Sequence, residues 1–163
     1  MPRVVYLDTG PLGLACHPRP VKDQEPDEFQ SWMGNALKKR IRIIIPAIAD
    51  YELRRELIRN GSVDSIAKLD LIETGRHPNF PGVIYLPLSD PAIKRAAELW
   101  AKARNQGLAT AGMQALDGDV LVAAQALENA GSTSRFTIAT GNVGDIARYV
   151  GTRRATLWID IIP

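Results

Sequence analysis

Five short runs of β-branched and aromatic residues, Val4 to Leu7, Arg42 to Ile45, Val83 to Leu86, Phe136 to Ala139 and Thr156 to Ile161, are separated by stretches whose apolar residues recur at helical spacing. Strands that alternate with helices need crossover connections, and a right-handed crossover returns the chain parallel to the strand it left. Helices then cover both faces of the sheet, which is why the runs are apolar throughout instead of alternating. The pattern predicts an α/β fold: a three-layer α/β/α sandwich with a central, mainly parallel five-stranded sheet. A chain of 163 residues buries roughly 70% of its unfolded surface, so one domain over residues 1–163 is expected, without help from disulfides or a structural metal.

Turn and cap residues punctuate the runs. Asp8-Thr9-Gly10-Pro11 stops the first strand and is expected to turn the chain into a proline-rich loop. Asp27 suits the N-cap of a helix carrying Phe29, Trp32, Met33, Ala36 and Leu37 at helical spacing, with Lys38, Lys39 and Arg40 at its negative end. Pro46 closes the second strand ahead of a helix over Ile48 to Asn60, and a further helix runs from about Val63 to Thr74. Asp90-Pro91 opens a helix that ends at Gly107. Leu108 to Leu116 reads as a looser segment, Asp117-Gly118-Asp119 as the entry to an apolar helix over Val120 to Ala130, and Thr140 to Asp145 as a turn into a short helix ending near Val150.

Charge excludes little: 20 Lys and Arg against 18 Asp and Glu give a net +2, too weak a field to announce a polyanion binder. The single Cys16 cannot form an internal disulfide, and with no secretory signal at the start a reducing cytoplasm is the expected compartment. No apolar stretch approaches the roughly 18 residues that span a bilayer, so no membrane insertion is expected.

In an open parallel sheet ligands bind outside the carboxyl ends of the strands, and here those positions are rich in acids. Asp8 follows the first strand, Glu52 lies early in the helix after the second, Asp117 and Asp119 open the helix before the fourth, and Thr140, Asn142 and Asp145 follow the fourth. Two carboxylates about 4 Å apart repel by roughly 4 kcal/mol at an effective dielectric near 20, so several in one crevice require a cation or take up protons. Oxygen ligands alone select a hard ion such as Mg²⁺ or Mn²⁺, and the absence of a Cys or His cluster argues against zinc. Such an ion activates water and neutralises phosphoryl oxygens.

Each residue also has a plainer role. Asp8 suits an Asx turn, Glu52 a solvated helix face, Asp117 or Asp119 an N-cap, Asp145 a cap of the short helix, and Thr140 and Asn142 a turn. Arg54, Arg55 and Arg59 share the helix of Glu52 and, like Lys38, Lys39, Arg40 and Arg42, can meet phosphates; a solvated helix face is the plainer reading of each, and pairing with Glu56 is another. Trp32, Trp100, Trp158 and Cys16 fall in apolar patterns and read as packing, and His17 and His77, each followed by proline, as loop or capping residues.

Taken in order, YLDTGPL at 6–12, PAIADYELRREL at 46–57, LDGDVLVAAQAL at 116–127 and IATGNVGDIARYV at 138–150 resemble the motif series of PIN domains, specifically the VapC-type toxins of type II toxin–antitoxin systems. The resemblance runs over essentially the full chain, although Val63 to Gly112 contributes pattern only. It implies a parallel α/β/α sandwich and a Mg²⁺- or Mn²⁺-dependent ribonuclease that is neutralised by a cognate antitoxin and self-associates as a homodimer. Asp8 matches the family's first acid, Glu52 its second, and Asp119 the acid preceding the apolar-Ala-Ala helix. Asp145 corresponds to an acidic position that varies, Asp117 is an extra acid able to replace it, and Thr140 and Asn142 match a polar pair that supports the site. Gly10 departs from the pattern, standing where Asn or Ser is frequent. The implied mechanism has a metal held by Asp8, Asp119 and either Asp145 or Asp117, with Glu52 orienting the attacking water or a second ion.

Two other functions compete. A phosphoacceptor receiver domain also collects acids at strand ends, but it wants an acidic pair after strand one and a Lys after strand five, where this chain has a lone Asp8 and Ile161-Ile162-Pro163. A PIN-like module that binds RNA or protein without cutting keeps the same motifs.

Overall fold

The computed structural model describes residues 3–107, 113–131 and 135–163, with the side chains of 113–117 outside that description. Its sheet contains β1 (Val4–Leu7), β2 (Arg42–Pro46), β3 (Ile84–Leu86), β4 (Phe136–Ala139) and β5 (Ala155–Thr156), in the order β3-β2-β1-β4-β5. Every pairing is parallel, with Val5 opposite Ile43 on one side and Thr137 on the other. The helices are α1 (Thr9–Cys16), α2 (Glu25–Lys38), α3 (Ala47–Arg59), α4 (Val63–Glu73), α5 (Asp90–Asn105), α6 (Met113–Ala130) and α7 (Val143–Val150).

Side chains of successive strand residues point to opposite faces, and the core divides accordingly. Val5, Leu7, Ile43 and Ile45 pack with Leu12, Phe29, Met33, Leu53 and Leu69 of α1 to α4. Tyr6, Ile44, Phe136 and Ile138 pack with Val122, Ala123, Ile146 and Val150 of α6 and α7. Helix α5 lies outside this layer, its Ala96 against Val120 and Ala124 of α6. Leu7 is fully buried, so truncating it to Ala costs about 2–5 kcal/mol.

The chain starts at the middle of the sheet, moves outward through β2 to β3, then crosses back to β4 and continues outward to β5. Between β1 and β4 the connections diverge, leaving a crevice at their carboxyl ends. This order differs from the 2-1-3-4-5 of receiver domains, which removes that alternative.

Several boundaries differ from the sequence expectation. The expected turn at Asp8 to Pro11 is α1: the Asp8 carboxylate accepts from Thr9 N at 2.8 Å, and Pro11 falls in the first turn, where a missing N–H costs nothing. Helix α2 begins at Glu25, with Gln24 flanking it and Pro26 in its first turn, so Asp27 lies inside that turn and is not the cap. Of the segment expected to be loose, residues 108–112 lie outside the described residues and 113–116 belong to α6. Asp117 and Asp119 are therefore helix-interior, not N-caps.

The expected final strand, Thr156 to Ile161, shortens to Ala155–Thr156 followed by a 3₁₀ turn at Trp158–Asp160. Tertiary packing takes the chain off the sheet: the Trp158 ring meets Phe29 at 5.3 Å and Trp32 at 6.1 Å, and Trp32 Nε1 donates to Ile161 O at 2.6 Å. Trp100 joins the apolar patch between α5 and α6, and Cys16 is buried, its thiol pushed up to about 12 chiefly by that burial. Among the described residues no helix is long and apolar enough to cross a membrane.

Candidate active site

Asp8 and Thr140 follow directly on β1 and β4, so parallel pairing sets them side by side; Asp8 N donates to Ala139 O at 3.0 Å. The Asp8 side chain is buried, and a buried carboxylate needs donors. Among the described residues it has two: Thr9 N reaches Oδ1 at 2.8 Å and the Thr140 hydroxyl reaches Oδ2 at 2.6 Å.

The same Thr140 oxygen accepts from Asn142 N at 2.9 Å, and the Asn142 side-chain amide donates to Asp119 Oδ2 at 2.9 Å. Asn142 flanks the start of α7 yet makes no side-chain cap there. Its amide serves Asp119 instead, linking Asp8, Thr140, Asn142 and Asp119 in one polar chain.

Glu52 enters from α3. Thr9 Oγ1 donates to its Oε2 at 3.3 Å, and its carboxylate lies against α6 so closely that a Cβ on Gly118 would collide with it, meeting Cδ at 2.8 Å. Glycine at 118 thus lets the Glu52 carboxylate lie in this position, which a larger residue would make it leave, inside a helix where glycine otherwise costs about 1 kcal/mol. Asp145, in the first turn of α7, pairs with Arg148 at 3.2 Å.

Electrostatics ties the acids together. Asp119 is pushed up to about 7, first by burial and then by the charges of Asp8, Asp145 and Glu52, against the opposing Asn142 hydrogen bond. Glu52 is also raised, by burial and then by Asp8, while Thr9 and Arg55 pull it down. The donor set is all oxygen and its charge is in excess, which fits a hard divalent cation. Among the described residues, however, no three His, Cys, Asp or Glu side chains are gathered tightly enough to hold a metal as they stand. Among the described residues the acids share one electrostatic neighbourhood without a closed ligand shell.

Of the residues expected from sequence, Asp8, Glu52, Asp119, Asp145, Thr140 and Asn142 come together at the crevice. The Asp117 side chain lies outside the described residues. Arg54 is engaged elsewhere: its guanidinium meets Asp50 at 2.8 Å, Asp70 at 2.7 Å and Glu73 at 3.2 Å. Arg59 pairs with Glu56 at 2.6 Å, and Arg55, over the Tyr51 ring at 5.7 Å, is the α3 arginine whose charge reaches Glu52. Lys38, Lys39, Arg40 and Arg42 lie at or before the amino end of β2, the opposite edge of the sheet from the acids. His77 is buried and stacked on Phe80, its Nδ1 accepting from Asn79 N.

Two contributors escaped sequence reading. Thr9 is visible only as the partner of a strand-terminal Asp, and Gly118 only as a glycine inside a helix that the sequence does not reveal as starting at Met113.

No family model matches the sequence, and no curated protein matches it. Solved structures do. A chain of VapBC2 from Rickettsia felis bound to a DNA fragment from their promoter superposes with a TM-score of 0.66 at 20% identity, covering 95% of this chain and 98% of that one. FitAcB from Neisseria gonorrhoeae gives 0.62 at 20% identity over 96% and 99%, and FitAB bound to an IR36 DNA fragment gives 0.62 at 19% identity over 98% of each. At this identity the likeness is one of fold: from end to end the chain has the α/β architecture of a component of the VapBC2 and FitAB complexes.

Proposed function

We propose that this chain is a VapC-like toxin, a Mg²⁺- or Mn²⁺-dependent endoribonuclease that hydrolyses RNA phosphodiester bonds and is neutralised by a cognate antitoxin. The observation that carries the reading is the convergence of Asp8, Glu52, Asp119 and Asp145 at the switch point, crowded enough to push Asp119 up to about 7. Groups so placed gain more from a divalent cation than from a shared proton. The motif resemblance and the full-length likeness to VapBC2 support the same assignment. A cytoplasmic location and a homodimer belong to the proposal.

Asp8, Asp119 and Asp145 would hold the cation, with Glu52 beside them and Asp117 as an alternative fourth acid. Bound there, the ion would polarise the scissile phosphate and make a water more acidic. The chain's own groups do the rest. Thr9 N and Thr140 fix both Asp8 oxygens while leaving lone pairs on each, and Asn142 fixes Asp119 Oδ2. Glu52, its carboxyl raised by burial and by the charge of Asp8, is suited to take a proton from the attacking water.

A catalytically inactive RNA- or protein-binding module is the second reading, favoured by the lack of a ready ligand cluster among the described residues. Incubating the purified, antitoxin-free chain with structured RNA separates the two. Cleavage should require Mg²⁺ or Mn²⁺ and vanish in Asp8→Asn and Asp119→Asn; cleavage that survives either substitution, or persists in EDTA, contradicts the proposal.

A further inference from the structure

Beside the acids lies a small basic cavity that the assignment above does not use. It has a volume of about 160 Å³ and is lined by Leu99, Lys102, Ala103 and Gln106 of the end of α5 and by Arg148 and Tyr149 of α7. Arg148 joins it to the acidic site through its 3.2 Å pair with Asp145. Arg104, on the same last turn of α5, sits over the Trp100 ring at 4.6 Å, and its buried Nε has no hydrogen-bond partner among the described residues. The Tyr149 phenol feels Asp119 and Asp145 as well as Arg148 and Arg104, which places the acidic and basic groups within one another's fields.

The negative end of α5 alone would favour cations in its last turn. That accounts for the sign of Lys102 and Arg104 but not for a cavity closed from the other side by a second helix with its own arginine. Two of the last-turn carbonyls that would repel an anion are also occupied: Gln106 N donates to Lys102 O at 3.1 Å and Gly107 N to Arg104 O at 3.0 Å.

We infer that this cavity binds a backbone phosphate of the RNA strand next to the scissile bond, with Lys102 as the principal cation and Gln106 and Tyr149 as hydrogen-bonding neighbours. The inference rests on the ribonuclease reading for its substrate and deepens it by naming where the flanking strand lies. A nucleic acid offers a negative charge at every residue, so a strand anchored at the acids presents a further phosphate nearby, and such contacts fix register without reading sequence. This assigns strand contact to the α5–α7 side rather than to the paired arginines Arg54 and Arg59 of α3.

The test is binding of a fluorescently labelled single-stranded RNA to the full chain in EDTA, where no cleavage is required. Lys102→Glu should weaken binding about tenfold and lower the slope of log affinity against log salt by about 0.7, the loss of one phosphate contact. Lys94→Glu, an equal charge change at an exposed position of α5 that does not line the cavity, should stay within about twofold of the unchanged chain. Gln106→Glu, which changes the charge of the same cavity by one unit where Lys102→Glu changes it by two, should weaken binding in the same direction by a smaller factor. Equal affinities of Lys102→Glu and Lys94→Glu would overturn the inference. So would a Lys102-dependent loss confined to an acidic peptide, which would assign the cavity to a protein partner. A chain inactive on RNA can pass this test and an active one can fail it, so a failure of the cavity assignment is distinguishable from a failure of the ribonuclease reading.

Discussion

The Thr140 hydroxyl lies 2.6 Å from Asp8 Oδ2, and it joins the carboxyl ends of the two strands at which the sheet changes direction. Its oxygen also accepts from Asn142 N, so one side chain sets both the first acid and the entry to α7. Thr140→Val keeps the shape and removes the hydroxyl, leaving a buried carboxylate short of a donor and an amide without an acceptor. Urea unfolding should show a loss of about 1–3 kcal/mol, with Mn²⁺ affinity falling as well. A stability and affinity equal to those of the parent would show that the bond carries no weight.

Gly118 supplies a prediction about coupling between α6 and Glu52. In a helix interior Gly→Ala ordinarily stabilises by about 0.5–1 kcal/mol, yet here the added methyl would displace the Glu52 carboxylate. The carboxylate ends a flexible side chain and can move aside, so Gly118→Ala should stabilise the parent chain by less than this and should depress RNA cleavage. In a Glu52→Ala background the same change should stabilise normally. The coupling energy of this double-mutant cycle is the readout, and additivity of the two substitutions would contradict the close approach.

Gln125 is buried between α6, α3 and β3. It accepts from Ile48 N at 3.2 Å and donates to Leu86 O at 3.0 Å. Pro46 flanks α3 without a side-chain cap, so a glutamine from another helix satisfies one of the free N–H groups of its first turn. Gln125→Leu should cost about 1–3 kcal/mol in thermal or urea unfolding, and it should reduce cleavage because α3 carries Glu52. An unchanged unfolding midpoint would contradict this.

The acidic site sets a pH dependence. A carboxyl raised in the folded state holds its proton when the unfolded chain has already released it, so the metal-free chain loses stability as pH rises from the unfolded value near 4 through about 7, Asp119's folded value. Glu73, raised to about 8 by burial and then by Asp50 against the opposing Arg54, acts in the same direction over a wider range. Unfolding midpoints measured in EDTA should fall between pH 5 and pH 7. Asp119→Asn should flatten part of that fall, and a midpoint that rises over the interval would refute the assignment.

The sequence revealed the centre of the fold better than its margins. β1 and β2 are legible because strands covered on both faces must be apolar at every position, and Asp8 and Asp119 because acids beside such segments stand out. Helix α1 is hidden behind Gly10-Pro11, which read as a turn until Asp8 is seen capping it. The short β5 is equally illegible, since what removes Trp158 from the sheet is an aromatic cluster with residues of α2 more than 120 positions away. Arg54 reads as a free cation because its partners Asp70 and Glu73 belong to the next helix.

Divalent-cation binding by Asp8 at the end of β1, Asp119 on α6 and Asp145 in the first turn of α7 is central to the proposed function. Titrating the metal-free chain with Mn²⁺ and following the free ion by electron paramagnetic resonance measures it. Saturable binding that is lost in both Asp8→Asn and Asp119→Asn is the expected result. Binding that persists unchanged in those variants, or no binding by the parent chain at millimolar Mn²⁺, contradicts the account.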